Sequence, residues 1–269
     1  MIIAVDTGGT KTLIARFDNR GEPEVITKFP TPRDQQDYIT SVTTAIKEAS
    51  GTEPVDALIV ALPGPIRHGV LQRSPNIGWQ GFDVVTALKQ HFPDTLVAIG
   101  NDADLGGIAE ARVLSNPGLC IYVTLSTGVG TGITSDGNLI PQLERFEGGS
   151  MRIEYNGERM RWEDVASGKS FYERYSQYGS DVEDPEKWKD FAERAASGLM
   201  ALIPLVEPNH VVIGGSMGTH YVKYGSYLQA MLDESIAKHM TDVTISQAKH
   251  PEQAVIYGCY YYAVDQLSH

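Results

Sequence analysis

Residues 124–132 read TLSTGVGTG, with the apolar run LCIYV (119–123) in front and a short alternating run, 131–135, behind. A β-hairpin needs only one or two special turn residues. This stretch carries three glycines, Gly128, Gly130 and Gly132, and four hydroxyl residues. Two readings are open: an over-decorated turn, or a loop whose backbone N–H groups come close to an anion. On either reading the flanking runs are strands. Further out, DALIVAL (56–62) and LVAIG (96–100) are apolar runs that end at polar or glycine-rich residues, and HVVIGG (210–215) delivers its end to a double glycine. Strands buried on both faces belong to an α/β sheet whose working edge lies at their C-terminal ends.

The rest of the chain fits around those strands. Residues 2–5 read as a strand, and 12–17 as a second with Leu13, Ala15 and Phe17 on one face. Asn19-Arg20-Gly21 turns into a third at 24–28, and Gln35 to Ala49 has Ile39, Val42, Ile46 and Ala49 at helical spacing, an amphipathic helix covering a sheet. Long helical segments occupy 186–205, 220–239 and 251–267, while the charged stretch from Gln177 to Lys189, with Gly179 and Pro185, reads as an exposed connection. The order predicts two αβ lobes with a cleft between them.

Composition narrows the classes. The chain has 269 residues, 42% apolar and 21% charged, which suits a globular protein with a sizeable core. A net charge of −12 argues against nonspecific binding to nucleic acid or to an anionic membrane. It leaves anionic small substrates open, because a glycine loop or Mg²⁺ inverts the local field. No window approaches the roughly 18 apolar residues of a membrane span. The opening residues MIIAVDTGG show no signal-peptide pattern. Cys120 and Cys259 lie in apolar surroundings and read as buried, reduced thiols. The expectation is a cytoplasmic protein.

Two further glycine turns and one acid carry the chemistry. DTGGTK (6–11) lies between two predicted strands, where Gly8 and Gly9 can adopt positive φ, Thr7 and Thr10 add hydroxyls and Lys11 adds charge. It matches neither the P-loop nor the dinucleotide fingerprint, since a strand follows it. DTGG alone is also a tight hairpin turn, and Asp6 favours function, as a carboxylate placed to hold hydrated Mg²⁺ near phosphate oxygens. GGSMG (214–218) leads from a strand into a helix, and Gly214 and Gly215 can lie flat against a purine or ribose. In GNDAD (100–104), Asp102 follows a strand beside Asn101, which suits a group that orients a sugar hydroxyl and takes its proton. Its structural alternative is a cap on the helix beginning near Ala103.

DTGGTK, ALPGP (61–65), NDAD (101–104), STGVGTG (126–132) and IGGSM (213–217) stand in the order seen in the ROK family of bacterial sugar kinases, within the hexokinase, Hsp70 and actin-like group. The chain resembles that family over nearly its whole length. The resemblance implies an α/β fold of two ribonuclease-H-like lobes of the actin-like ATPase type, with the active site in the interlobe cleft. It divides the chain into 1–105 plus 255–269 and 106–254. It implies ATP-dependent phosphorylation of a hexose and Mg²⁺, in a family whose members frequently form homodimers. Asp6, Gly8, Gly9, Thr10 and Lys11, with Thr127, Gly128 and Gly130, would then hold phosphates; Gly214, Gly215 and Ser216 would serve adenosine; Asp102 would be the general base. Asn76, Asn101, Glu147, Ser150 and Glu163 would line the sugar.

The pattern departs from the family at two places. Position 150 is Ser where the family usually has His, and the cysteine-rich zinc loop is missing, its place taken by NGERMRW. Structural zinc is therefore not expected, and the compact chain looks like the glucokinase-like and polyphosphate-glucokinase-like branches. Glucose is the expected sugar. An N-acetylhexosamine or fructose kinase, polyphosphate as donor, and a non-enzymatic sugar sensor are the alternatives; the family's repressors resemble this chain with a DNA-binding region added in front.

Overall fold

The computed structural model describes residues 1–18, 20–144, 146–236 and 242–268, so the turn residue Asn19 and positions 237–239 of the expected helix lie outside the described residues. The chain divides into two compact units, Met1–Ala109 with Val255–His269, and Glu110–Ala254.

In the first unit β1 (Ile2–Thr7), β2 (Lys11–Phe17) and β3 (Pro23–Pro30) form an antiparallel meander. Helix α1 (Gln35–Ser50) starts where the Asp34 carboxylate accepts the N–H groups of Gln36 and Asp37, and it buries Tyr38, Ile39, Val42 and Ile46. The uniformly apolar β4 (Ala57–Leu62) is fully buried. Residues with no element expected from the sequence form a small sheet of β5 (Ile66–Arg67), β6 (Val70–Ser74) and β7 (Trp79–Phe82), followed by α2 (Val84–Lys89). β8 (Leu96–Asn101) runs directly into α3 (Asp102–Arg112). The main sheet has the order β3-β2-β1-β4-β8, with β1, β4 and β8 parallel.

The second unit repeats the plan. β9 (Leu119–Leu125) and β10 (Val129–Ser135) make the hairpin of the opening stretch, extended by β11 (Asn138–Leu139). The hairpin β12 (Arg152–Tyr155) and β13 (Glu158–Arg161) precedes α4 (Trp162–Ala166), α5 (Gly168–Tyr175) and α6 (Pro185–Val206). β14 (His210–Gly214), α7 (Gly215–Gly218), α8 (Tyr221–Ser235) and β15 (Thr244–Gln247) complete it, in a sheet ordered β11-β10-β9-β14-β15. Its core is rich in aromatics: Trp162, Phe171, Trp188, Phe191 and Tyr224 are all buried.

That core corrects one expectation. The charged stretch 177–189 is not merely an exposed connection, because Val182 and Trp188 are buried and the Trp188 indole donates to the Val182 carbonyl at 3.0 Å. α9 (Ala254–Leu267) belongs to the first unit from Val255 onward, where the Tyr260 ring stacks on Phe17 at a centroid distance of 4.5 Å. Both cysteines are buried, and burial pushes the Cys120 thiol up to about 12. Among the described residues no helix is long and apolar enough to cross a membrane.

Candidate active site

In the first unit the C-terminal edge of the parallel strands gathers the expected residues. Asp6 pairs in register with Ala61, and Ala61 with Gly100, so Asp6 and the β8 end are two strands apart, about 10 Å at ordinary sheet spacing. Asp6 is half-buried as a residue, but its carboxyl lies in buried surroundings that push its pKa up to about 6, with the Lys28 ammonium opposing. Its carboxylate has no hydrogen-bond donor among the described residues.

The turn after Asp6 is pinned at both sides. Gly8 N–H donates to the Lys11 carbonyl at 2.9 Å, Thr31 N–H to the Thr10 carbonyl at 3.0 Å, and the Thr31 hydroxyl to the Gly8 carbonyl at 2.8 Å. The N–H groups of Gly9 and Thr10 have no acceptor among the described residues. Neither Gly8 nor Gly9 adopts the expected positive φ. What Gly9 provides is closeness: a Cβ there would lie 3.2 Å from the Cβ of Asn76. Asn76, exposed in the turn after β6, is held by its carbonyl, which accepts from Arg33 Nη1 at 2.7 Å. Lys11 is exposed at the start of β2.

Asn101 and Asp102 sit at the junction of β8 and α3, and divide the work there. Asn101 Oδ1 accepts the N–H groups of Ala103 at 2.9 Å and Asp104 at 3.2 Å, and its Nδ2 donates to the Gly64 carbonyl at 3.2 Å. Asp102 Oδ1 also accepts the Ala103 N–H, at 2.9 Å. Asn101, not Asp102, is therefore the main helix cap.

In the second unit Ser126 N–H donates to the Gly128 carbonyl at 2.9 Å, closing the hairpin turn, with Thr127 exposed at its tip. The N–H groups of Thr127 and Gly128 have no acceptor among the described residues. Gly128, Gly130 and Gly132 likewise keep ordinary φ, and Gly130 is already part of β10, opposite Thr124. Glu147 and Ser150 are exposed at the ends of a single helical turn, where Ser150 N–H donates to the Glu147 carbonyl at 3.0 Å. That turn is braced on β10 by the buried Thr131 hydroxyl, which accepts from Gly148 N–H at 2.9 Å. Glu163 lies half-buried in α4, and a Cβ on Gly128 would stand 3.0 Å from its Oε2. Gly168 N–H donates to the Ser126 carbonyl at 2.6 Å. Gly214 pairs with Thr124, which brings GGSM to the same strand end; Gly215 has φ +78° and donates to the Pro251 carbonyl at 2.8 Å, while Ser216 is exposed.

A family model described as the ROK family matches residues 2–266. The chain belongs to the ROK family. It is a sugar kinase of that family, a phosphotransferase by class. A kanosamine kinase of Amycolatopsis mediterranei (strain S699) is 30% identical to it over 245 residues, 79% of each chain. A ROK family glucokinase from Streptomyces griseus, solved with glucose and AMPPNP, matches with a TM-score of 0.84 at 20% identity, covering 98% of this chain and 99% of that one. An inorganic polyphosphate/ATP-glucomannokinase from Arthrobacter sp. strain KM matches with a TM-score of 0.75 at 25% identity, covering 98% of both. The two α/β lobes are those of the ROK and actin-like ATPase architecture.

Three residues of this ROK chain escape a reading of sequence motifs. Thr131 looks like one more loop hydroxyl, although its strand position turns it inward. Arg33 gives no signal, since its partners are carbonyls in a distant turn. Arg161 has a faint one, the acids Glu163 and Asp164 two and three residues later.

Proposed function

We propose that this protein transfers the γ-phosphoryl group of ATP to the 6-hydroxyl of a hexose, glucose first among them, with Asp102 as general base. The observation that carries the reading lies within the first unit: a buried carboxylate without a donor, Asp6, and two unclaimed N–H groups, Gly9 and Thr10, share a sheet edge with Asp102. Asn101, engaged through its cap and Gly64, holds that junction and offers its remaining amide hydrogen to the sugar.

The chain's own groups then do the following. Asp102 orients the 6-hydroxyl and takes its proton as the sugar oxygen bonds to the γ-phosphorus and the bond to the bridging oxygen breaks, leaving ADP with the electron pair. The N–H groups of Gly9, Thr10, Thr127 and Gly128, with Lys11 and Gly130, bind phosphate oxygens. Gly214, Gly215 and Ser216 hold adenosine. Asn76, Glu147, Ser150 and Glu163 take the remaining sugar hydroxyls. Mg²⁺ fits Asp6, whose buried charge lacks a donor; the ion would neutralise phosphate charge, completed by water, since no group of three or more metal-binding side chains occurs among the described residues.

Glucose is favoured because carboxylates at 147 and 163 suit a substrate carrying many O–H donors better than one with an acetamido methyl. Coupled assays over glucose, mannose, fructose, kanosamine, N-acetylglucosamine and N-acetylmannosamine, each with ATP and with polyphosphate, test it. Highest kcat/KM for glucose with ATP is expected. Preference for another sugar by tenfold or more would remove glucose, and faster turnover with polyphosphate would remove ATP as the preferred donor. Silence with every pair would remove the reaction. Light scattering of the purified chain tests the homodimer.

A further inference from the structure

We infer that Arg161 is a positioning residue for sugar binding, fixing the Glu163 carboxylate so that a single oxygen, Oε2, meets the sugar. The inference rests on the proposed function and deepens it. It starts from a guanidinium with all three nitrogens engaged. Arg161 Nε donates to Asp164 Oδ2 at 2.9 Å, Nη2 to Asp164 Oδ1 at 2.7 Å, and Nη1 to Glu163 Oε1 at 2.7 Å. The fork on Asp164 is the planar bidentate geometry that lysine cannot copy.

Its location is against local preference. Arg161 is the residue that opens α4, where a cation meets the positive end of the helix dipole and its side chain caps no N–H. The helix does not need it for anchorage. Trp162 is fully buried, its backbone N–H donates to the Met151 carbonyl at 2.9 Å, and Arg194 Nη1 donates to the Val165 carbonyl at 3.0 Å. Arg161 itself is 49% exposed and Glu163 28%, so the pair adds little to stability. With the helix backbone held by other contacts, what remains to be set is the torsions of Glu163. Arg161 sets them from one side. On the other side Oε2 stands toward the Gly128 turn, 3.0 Å from where a Cβ of that residue would be.

The consequence is chemical as well as geometric. With Oε1 occupied by a cation, Glu163 offers Oε2 alone, as an acceptor, so it selects a sugar position bearing an O–H or N–H donor. Strand β13, in the segment NGERMRW, ends in this residue. Of the segment's arginines, Arg159 pairs in register with Glu154 across the hairpin and, among the described residues, makes no hydrogen bond or ion pair with Glu163 or Asp164, which makes it the control.

The test measures hexose affinity by Trp fluorescence and steady-state KM for sugar and for ATP, with Tm, in full-length Arg161→Gln, Arg161→Lys and Arg159→Gln. Expected for Arg161→Gln are a rise in sugar Kd and KM of about five- to twentyfold, an ATP KM within about twofold and a Tm within about 2 °C. Arg161→Lys should fall between Gln and the parent, and Arg159→Gln should match the parent. A sugar Kd within twofold in Arg161→Gln overturns the inference, as does a loss shared equally by sugar, ATP and Tm, the signature of a helix clamp. A parent protein that binds no hexose overturns the functional reading, and the inference with it.

Discussion

At the β8–α3 junction two neighbouring residues with similar side chains have different duties. Because Asn101 Oδ1 takes the N–H groups of both Ala103 and Asp104, truncating Asp102 removes little of the helix cap. Asp102→Ala should therefore lower kcat by about 10²- to 10⁴-fold with Tm nearly unchanged, whereas Asn101→Ala should cost about 1 kcal/mol of stability as well. Turnover by D102A within threefold of the parent, read in the coupled assay, would refute the general-base role. Asp6 gives a pH signature. Its pKa rises from 3.8 unfolded to about 6 folded, so ionised Asp6 destabilises the fold at pH 7, by about 3 kcal/mol at most. That penalty fades as pH falls from 7 toward 4. Without divalent ions, Asp6 should thus raise Tm on mild acidification, while kcat/KM falls below pH about 6 because the protonated acid no longer holds Mg²⁺. Asp6→Asn should abolish turnover and flatten its share of the Tm profile; an unchanged Tm profile in D6N would show that Asp6 titrates normally.

Among the elements, α4 and the hairpin turn before β10 are neighbours that the sequence separates by more than thirty residues. Reading the loop as a phosphate cradle suggests that Gly128→Val weakens ATP binding through steric obstruction and loss of permitted φ values, with sugar affinity little changed. The structure says otherwise, because φ is ordinary there and a Cβ would press on Glu163 Oε2. Gly128→Ala should raise the KM for sugar severalfold along with that for ATP, and a sugar KM unmoved while ATP weakens would contradict the contact. The parallel strands were legible because continuous apolar runs such as ALIVAL admit few other structures. The β12–β13 hairpin was not, since RIEY alternates over only four residues and ERMR puts Glu158 on the same face as Met160, so period-two alternation does not stand out. Trp188 was missed for a similar reason: one indole inside a charged run carries no period, though it anchors α6. For the candidate site, motif residues at strand ends were legible, whereas Thr131, Arg33 and Arg161 act through contacts distant in sequence or within a helix turn.

For the molecule as a whole the informative places are those where the chain passes from one unit to the other, between Ala109 and Glu110 and again between Ala254 and Val255. Glu110 stands at the first crossing, buried, in the last turn of the helix that begins with Asp102. Its two carboxylate oxygens accept the N–H groups of Lys249 at 2.6 Å and His250 at 2.9 Å, just ahead of the second crossing. Burial raises its pKa despite those two bonds, so the charged form is held at a cost and the contact must be fully made to be stable. The same segment supplies Pro251, whose carbonyl accepts from Gly215. Removing the carboxylate leaves two part-buried donors without their acceptor, a loss of about 1–3 kcal/mol. In a chain of this length Glu110→Ala should lower Tm by about 5–10 °C. Glu110→Gln should lie between, because an amide oxygen can accept while its NH₂ cannot. The sign with pH follows from the raised pKa: Glu110's contribution to stability declines as pH rises through its folded pKa, so the parent and E110Q should differ least in Tm at high pH and most in acid. Calorimetry of the three proteins from pH 5 to 8 reads this directly. A Tm for E110A within 1 °C of the parent would mean that the crossings do not depend on Glu110. A loss confined to Tm, with sugar and ATP KM unchanged in E110Q, is the expected pattern, since Glu110 touches neither set of residues assigned to the ligands.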